Sequence, residues 1–106
     1  MATIEDFKKI ELIVAQIKEV KEHSNADRLY VIKVDTGKDE RQVVAGIRRS
    51  YTPEQLLGRR VVLVANLEPA VIRGEQSNGM LLAASDETGT VLLMPEKDVQ
   101  LGSIVK

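Results

Sequence analysis

The chain has 106 residues and a mass of 11.7 kDa, the size of one domain spanning 1–106. Hydrophobic residues make up 43%, enough for a core without crosslinks, and the absence of cysteine excludes disulfides and thiolate chemistry. One histidine excludes a multi-histidine metal site, and no apolar run approaches the roughly 20 residues that cross a bilayer. The N-terminus has no signal-peptide core, so we expect a soluble, cytoplasmic protein with no membrane partner.

The distribution of charge is more informative than its total. A net charge of −1 is not that of a protein that holds nucleic acid by bulk positive charge. Residues 41–73, however, contain six arginines, no lysine and two glutamates. Arginine makes bidentate contacts to phosphate and stacks on bases. The alternative is that this segment is only a solvated strand surface.

The first predicted elements are a helical turn and a long strand. Segment 3–7 begins with the pattern of a capping box, which favours a short helical turn. Ile10, Leu12 and Val14 then alternate, and the change of phase before Ile17 predicts a bend or bulge in a curved first strand.

The middle of the chain predicts a hairpin followed by a helix. Residues 23–27 have the composition of a loop, and 30–36 alternate as a strand. Residues 37–40 form a predicted hairpin turn into a third strand over 42–47. Segment 52–58 predicts a short helix, with threonine as its cap, proline in its first turn and glycine at its end.

The remaining segments predict further strands. Residues 61–65 are almost continuously apolar, which indicates a strand buried on both faces. Residues 80–84 and 91–94 predict two strands joined by a turn over 85–89, and the tail 99–105 is again apolar.

This order of elements predicts an all-β fold. Three strands, a short helix and further strands fit a five-stranded Greek-key barrel of the OB type. The C-terminal segments exceed five strands, so they either extend the barrel or bury an interface. A β-sandwich is the alternative architecture.

The chemistry of catalysis is missing from the sequence. His23 is the only side chain suited to acid–base work near neutral pH, and we expect it to pack or hydrogen-bond locally in its loop. The glycines lack phosphate-loop spacing and the carboxylates follow no metal-ligand pattern. We therefore expect a binding module without cofactor or metal. Only three aromatic residues are present, too few to stack a long single strand of RNA.

Eight short segments, in order along almost the whole chain, carry a resemblance to a known family. They are His23–Tyr30, Val44–Ile47, Tyr51–Glu54, Val64–Pro69, Arg73–Gly74, Ser77–Ala83, Pro95–Glu96 and Leu101–Ser103. Together they resemble the tRNA-binding domain family, which occurs at the C-terminus of many methionyl-tRNA synthetases, as a separate β subunit and as free-standing proteins. The chain departs from the family at Ser24, usually proline, at Ile13 and Ala15, often arginine and glycine, and at Ala45, often serine.

The resemblance implies an OB-fold core with a C-terminal β extension used for homodimerisation. It implies tRNA as the ligand, recognised by its folded shape with little sequence preference. The expected function is non-catalytic: a domain that raises the affinity of the methionyl-tRNA synthetase catalytic chain for tRNA. A chaperone-like peptide-binding protein of the same superfamily is the alternative, and a purely structural dimerisation module is a third.

The site residues follow from the matched motifs and from the placement of loops in an OB fold. Two loops flank the ligand face of such a barrel, and the segments 23–30 and 73–80 are expected to supply them. The expected RNA-binding residues are Asn25, Arg28, Lys33, Arg41, Arg73, Ser77, Asn78 and Met80. Arg48 and Arg49 are further candidate phosphate contacts, Gly79 is expected to serve geometry, and Arg59 and Arg60 are expected to be structural or solvated.

A second set of residues is expected at a dimer interface. It comprises Leu92, Met94, Val99, Leu101 and Ile104. The alternative is that these apolar residues close the barrel's own end.

Overall fold

The computed structural model describes residues 1–106, which form two short helices and ten strands. In chain order they are α1 (Ile4–Lys8), β1 (Leu12–Glu22), β2 (Tyr30–Asp35), β3 (Glu40–Ala45), α2 (Pro53–Leu56), β4 (Arg60–Val64), β5 (Ala70–Ile72), β6 (Glu75–Ser77), β7 (Met80–Leu81), β8 (Ala83–Asp86), β9 (Gly89–Leu92) and β10 (Ile104–Val105). Neither helix has the length and apolar character needed to span a membrane.

Both helices begin as the sequence predicts. The Thr3 hydroxyl accepts the Asp6 backbone N–H, and the Asp6 carboxylate accepts the Thr3 N–H in return. Thr52 and Gln55 form the same reciprocal pair at the start of α2. These caps satisfy backbone donors that a short helix leaves free, so each helix starts at a defined residue.

The first strand is bulged, as predicted, but the bulge lies later in the strand. The pairing of β1 with β2 shifts register between Ile17 and Glu19, which leaves Lys18 as the extra residue. The side chains of Ile13, Ala15 and Ile17 point into the main core, and after the bulge Val20 packs against it. Because of the extra residue, the side chains that face the core have odd numbers before the bulge and an even number, that of Val20, after it.

The alternating residues Leu12 and Val14 do not mark the face of β1 that packs in the main core. Leu12 packs with Val62 and Val64 in a second cluster on the outside of the sheet, partly covered by Val105. Both faces of β1 are therefore buried at its start, so the hydrophobic pattern alone could not distinguish inside from outside.

The strands form a curled, antiparallel sheet in the order β3-β2-β1-β4-β7, which is an all-β barrel of the OB type. β10 pairs with the start of β1, and the hairpins β5–β6 and β8–β9 form separate two-stranded sheets. The predicted strand over 80–84 is divided between β7 and β8. Strands β5 and β6 were not predicted, because three-residue strands are too short to show alternation.

The end of β6 and the residues that follow it close the gap between β3 and β7, the two edge strands of the curled sheet. The Asn78 backbone N–H donates to the Gln42 carbonyl at 2.8 Å, and the Val44 N–H donates to the Ser77 hydroxyl oxygen at 2.9 Å. This closure fixes Ser77–Met80 against the edge of β3 and thereby positions the site.

The C-terminal residues expected at an interface divide into three environments. Leu92 is buried in the main core of the single chain, so its side chain offers no surface to a second chain and the barrel-closing alternative applies to it. Leu101 is half-buried beside the β2–β3 turn, where a Cβ on Gly37 would lie 2.9 Å from its carbonyl oxygen. Met94, Val99 and Ile104 are exposed.

Candidate nucleic-acid interface

The loop between β1 and β2, His23–Leu29, is anchored by its histidine. His23 is buried, its Nδ1 accepts the Asn25 backbone N–H at 3.0 Å, and its Nε2 lies 3.2 Å from the Ile72 carbonyl oxygen. Since Nδ1 accepts, Nε2 carries the proton and donates to Ile72. The expectation that His23 is a locally hydrogen-bonded residue is confirmed, and its ring ties this loop to β5.

A two-residue turn, Arg73-Gly74, joins β5 to β6 and contacts the same loop. Its φ angles are 52° and 94°, the left-handed values that a type I′ hairpin turn requires. The Arg73 guanidinium donates to the Asn25 carbonyl oxygen at 3.1 Å. Of the segment 73–80, the structure thus brings the Arg73-Gly74 turn to the His23–Leu29 loop, whereas Ser77, Gly79 and Met80 line a separate groove.

The Ser77 hydroxyl makes its hydrogen bonds within the chain. Its hydroxyl oxygen accepts the Val44 N–H, and its proton goes to the Gly79 carbonyl oxygen at 3.0 Å. The residue is buried and its hydroxyl proton is used by Gly79, so the hydroxyl is not free to contact RNA, although Ser77 was expected among the RNA-binding residues. Its role in the structure is to close the barrel.

Gly79 is required by the conformation of the backbone, as expected. Its φ is 133°, and a Cβ there would lie 2.9 Å from both the Leu63 Cδ1 and the Val64 carbonyl oxygen. The backbone approaches β4 this closely only because residue 79 has no side chain. This approach turns Met80 outward, where 48% of its surface is exposed.

Asn78 lies between these buried and exposed neighbours. Its backbone is fixed to β3, and the residue is half-buried. The side-chain Oδ1 is buried and has no hydrogen-bond partner in the chain. A buried amide oxygen without a partner is uncommon in folded proteins. Because this oxygen is covered by the chain, Asn78 carries an unsatisfied acceptor beneath the surface and not one exposed to a ligand.

Met80 borders a groove of about 470 Å³ between β3, the segment 67–72 and the β8–β9 hairpin. Most of its lining is apolar, with contributions from Ile47, Leu67, Ile72, Leu81 and Ala83. Its far wall, which includes Thr90, was not anticipated. No sequence signal marked it, because the residues of this wall come from separate hairpins and carry no motif.

Lys33 and Arg41 are not brought to the two loops. The Lys33 ammonium lies 3.6 Å from the Glu19 carboxylate on the outer surface of β2. The Arg41 guanidinium donates to the Ala65 carbonyl oxygen at 2.6 Å and lies 3.5 Å from the Asp39 carboxylate. Both cations are thus engaged by the chain itself.

The carboxylate that Arg41 faces is itself held ionised. The Thr36 hydroxyl donates to it, and this hydrogen bond, with the nearby Arg41 charge, lowers the pKa of Asp39 below its ordinary value. Arg41, at the turn-proximal start of β3, is therefore paired with the β2–β3 turn and does not contribute to the loop surface.

The other arginines of the central segment also differ in their partners. Arg48 lies 3.1 Å from the Glu22 carboxylate, and Arg60 lies 3.0 Å from that of Asp98. Arg59 sits over the Tyr51 ring at 5.9 Å from its centroid. The expectation that Arg59 and Arg60 are structural is consistent with these contacts. No group of three His, Cys, Asp or Glu side chains is placed to hold a metal ion.

The chain matches relatives over nearly all of its length. The family model described as "Putative tRNA binding domain" matches residues 12–104. A methionine–tRNA ligase of Pyrococcus horikoshii is 55% identical over 102 residues, which are 96% of this chain and 14% of the ligase. The chain thus spans about one seventh of the length of that curated relative.

Two solved structures show the same fold. A MetRS related protein from Pyrococcus horikoshii superposes with a TM-score of 0.93 at 31% identity, covering 100% of this chain and 98% of that one. The chaperone CsaA from Bacillus anthracis superposes with a TM-score of 0.91 at 27% identity, covering 100% and 99%. From the match over residues 12–104, the chain belongs to the tRNA-binding domain family.

Proposed function

We propose that this chain is a non-catalytic module that binds tRNA by its folded shape. The observation that carries the proposal is the meeting of the His23–Leu29 loop with the Arg73-Gly74 turn beside the groove bordered by Met80. This surface combines exposed guanidinium groups with the largely apolar Met80 groove. Guanidinium groups suit phosphates, and a thioether suits the apolar face of a base.

The scarcity of aromatic residues favours recognition of shape over reading of bases. Tyr30 is buried, with its hydroxyl donating to the Tyr51 carbonyl oxygen at 2.6 Å, and burial raises the pKa of that phenol. Phe7 lies on α1 and does not line the groove. Without stacking platforms, contacts to phosphate and sugar must carry the affinity, and these report backbone geometry rather than sequence.

The test is a titration of labelled mixed tRNA and of an unstructured RNA of equal length, at low and near-physiological salt. We expect tighter binding of tRNA at both salt concentrations. The logarithm of affinity should fall with the logarithm of salt by about 0.9 per neutralised phosphate for a duplex region. Equal, weak binding of both RNAs that disappears at moderate salt would contradict the proposal.

We further propose that the chain acts as a homodimer through its C-terminal extension. Three of the expected interface residues are exposed in the single chain, Ile104 at 72%, Met94 at 42% and Val99 at 39%. Leu93 and Val91 add exposed apolar surface nearby in sequence. A C₂ contact would bury these side chains and present two tRNA sites together, which raises affinity by avidity.

Light scattering at micromolar concentration tests the dimer. We expect the mass of two chains, and we expect Ile104→Glu to shift the protein towards one chain. Leu57→Glu is the matched control, because Leu57 is also exposed, at 51%, but lies at the end of α2. A single-chain mass for the unaltered protein would refute the dimer.

The proposed context is the aminoacylation of tRNA by a methionyl-tRNA synthetase catalytic chain. The support is the similarity of this chain to about one seventh of such a ligase. A module that only holds tRNA should lower the KM of the catalytic chain for tRNA and leave kcat unchanged. Steady-state aminoacylation with and without the module measures both constants.

The apolar lining of the Met80 groove supports a second candidate, the binding of exposed apolar peptide. The structural similarity to a chaperone points to the same class of ligand. Competition separates the two functions: a peptide that displaces tRNA only at saturating concentration favours RNA, whereas micromolar peptide binding with no tRNA binding favours the chaperone.

A further inference from the structure

The seven arginines of the chain fall into two classes by their partners. Arg41, Arg48 and Arg60 each have a carboxylate oxygen within 3.5 Å, and Arg59 sits over an aromatic ring. The other three have no carboxylate oxygen within 4.0 Å; they are Arg28, Arg49 and Arg73. All three are exposed.

These three arginines line one hollow of about 520 Å³, which we call the arginine hollow. They arrive from three separate segments: the β1–β2 loop, the turn after β3 and the β5–β6 turn. The only acidic residue in its lining is Asp27, which forms no salt bridge with any of them. Three unneutralised guanidinium groups around one concave surface create a local positive potential in a chain whose net charge is −1.

The walls of the arginine hollow are fixed by hydrogen bonds to loop carbonyls. Arg48 donates from its backbone N–H to the Arg28 carbonyl oxygen and from Nη1 to that of Ala26, both at 3.3 Å. Arg73 holds the Asn25 carbonyl oxygen, and His23 holds the loop to β5. Hydrogen bonds within the chain therefore define the shape of the arginine hollow.

The backbone at Arg73 supplies an independent observation. Arg73 is the only residue other than glycine with a positive φ, and it occupies a turn position that favours glycine, asparagine or aspartate. A β-carbon there is disfavoured, and strained positions of this kind cluster at functional sites. The strain is explained if the guanidinium of Arg73 is needed at the hollow.

We propose that the arginine hollow seats a backbone phosphodiester of folded RNA. The inference rests on the proposed function and specifies where that function obtains its phosphate contacts. Planar guanidinium groups on Arg28, Arg49 and Arg73 approach one phosphate from three sides, each able to donate a pair of N–H groups. The Met80 groove then accepts a less polar part of the same ligand.

The test measures tRNA affinity over a series of salt concentrations for Arg28→Gln, Arg49→Gln and Arg73→Asn. Each change should weaken binding about tenfold, because a charge-assisted hydrogen bond is lost. Each should also reduce the salt slope by roughly one. Lys97→Gln is the control for charge alone, since Lys97 is exposed, has no salt bridge and does not line the hollow. It should change affinity less than twofold.

A second readout separates binding from folding. Asparagine suits the first position of a type I′ turn, so Arg73→Asn should keep or raise the melting temperature while it weakens tRNA binding. A destabilised Arg73→Asn protein would contradict the claim that strain is retained for binding.

The remaining outcomes distinguish this inference from the proposed function. If the unaltered chain prefers tRNA but the three variants bind it equally well, the arginine hollow is not the phosphate seat and the inference is overturned. If the unaltered chain shows no preference for tRNA, the proposed function fails and the inference falls with it. If millimolar inorganic phosphate shifts the NMR signals of the three Arg side chains but tRNA does not, the hollow is a free-anion site and the RNA assignment is wrong.

Discussion

The Ser77–Gly79 seam and the arginine hollow, to which Arg73 belongs, lie at opposite ends of β6 and are built in opposite ways. In the seam, hydrogen bonds to Val44 and Gln42 fix the chain, and a side chain at Gly79 would collide with β4. In the hollow, charged groups are exposed and lack opposite charges.

This difference separates two roles within one candidate site. Residues of the seam determine the shape of the surface, whereas residues of the hollow and Met80 are available to a ligand. The matched segment Ser77–Ala83 contains both kinds of residue, the seam and the exposed Met80, so it cannot be assigned a single function. Changes in the seam should cost stability, and changes at the exposed positions should cost binding.

The largest expected effect is that of Gly79→Ala. Its Cβ would meet the Val64 carbonyl oxygen at 2.9 Å, and φ would remain at 133°. We expect a loss of about 3 kcal/mol or more in the free energy of unfolding, measured by urea denaturation. Gly58→Ala is the control, because its φ is 85° but no atom lies within 4 Å of the added carbon. It should cost about 1 kcal/mol.

Ser77→Ala should have the next largest effect. It removes the acceptor of the Val44 N–H and leaves a buried donor without a partner. The expected cost is about 2 kcal/mol, seen as a lower midpoint of urea unfolding. Ser24→Ala, at an exposed loop position, should leave the midpoint unchanged. A Ser77→Ala protein as stable as the original would show that water replaces the hydroxyl.

Met80→Ala should affect binding and leave stability almost unchanged. Nearly half of the side chain is exposed at the groove, so its removal creates no closed cavity. We expect tRNA affinity to fall about fivefold, which corresponds to roughly 1 kcal/mol. Leu57→Ala is the matched exposed apolar control. Unchanged affinity for tRNA would remove Met80 from the candidate site.

The smallest expected effect concerns pH. The pKa of Asp39 lies below its ordinary value of 3.8, because Thr36 donates to the carboxylate. Its ionised form therefore stabilises the fold above pH 3.8, and this contribution is lost as the pH falls through the lowered pKa. Asp39→Asn should cost about 0.5 kcal/mol at pH 7, since 47% of the side chain is exposed, and progressively less as the pH falls through the lowered pKa. Thermal unfolding at pH 7 and over a series of acidic pH values measures the difference.

Local sequence patterns predicted those elements whose cause is local. The Thr3 and Thr52 caps and the alternation of Tyr30, Ile32 and Val34 depend on residues within one turn or one strand. The motif residues also identified the two loops of the candidate site before any contact was known. Strands β5 and β6 were not predicted, because strands of three residues joined by a tight turn are too short to show periodicity.

The tertiary structure decided which of the predicted side chains are free. Sequence gives every arginine the same charge, but the chain brings acidic partners to Arg41, Arg48 and Arg60 from other segments, and none to those of the arginine hollow. It likewise buried Leu92 and the Ser77 hydroxyl. The amino-acid sequence by itself therefore determined the fold class, the family and the segments that meet. Pairing and burial depend on contacts between distant residues, so only the folded chain decided which groups remain for a ligand.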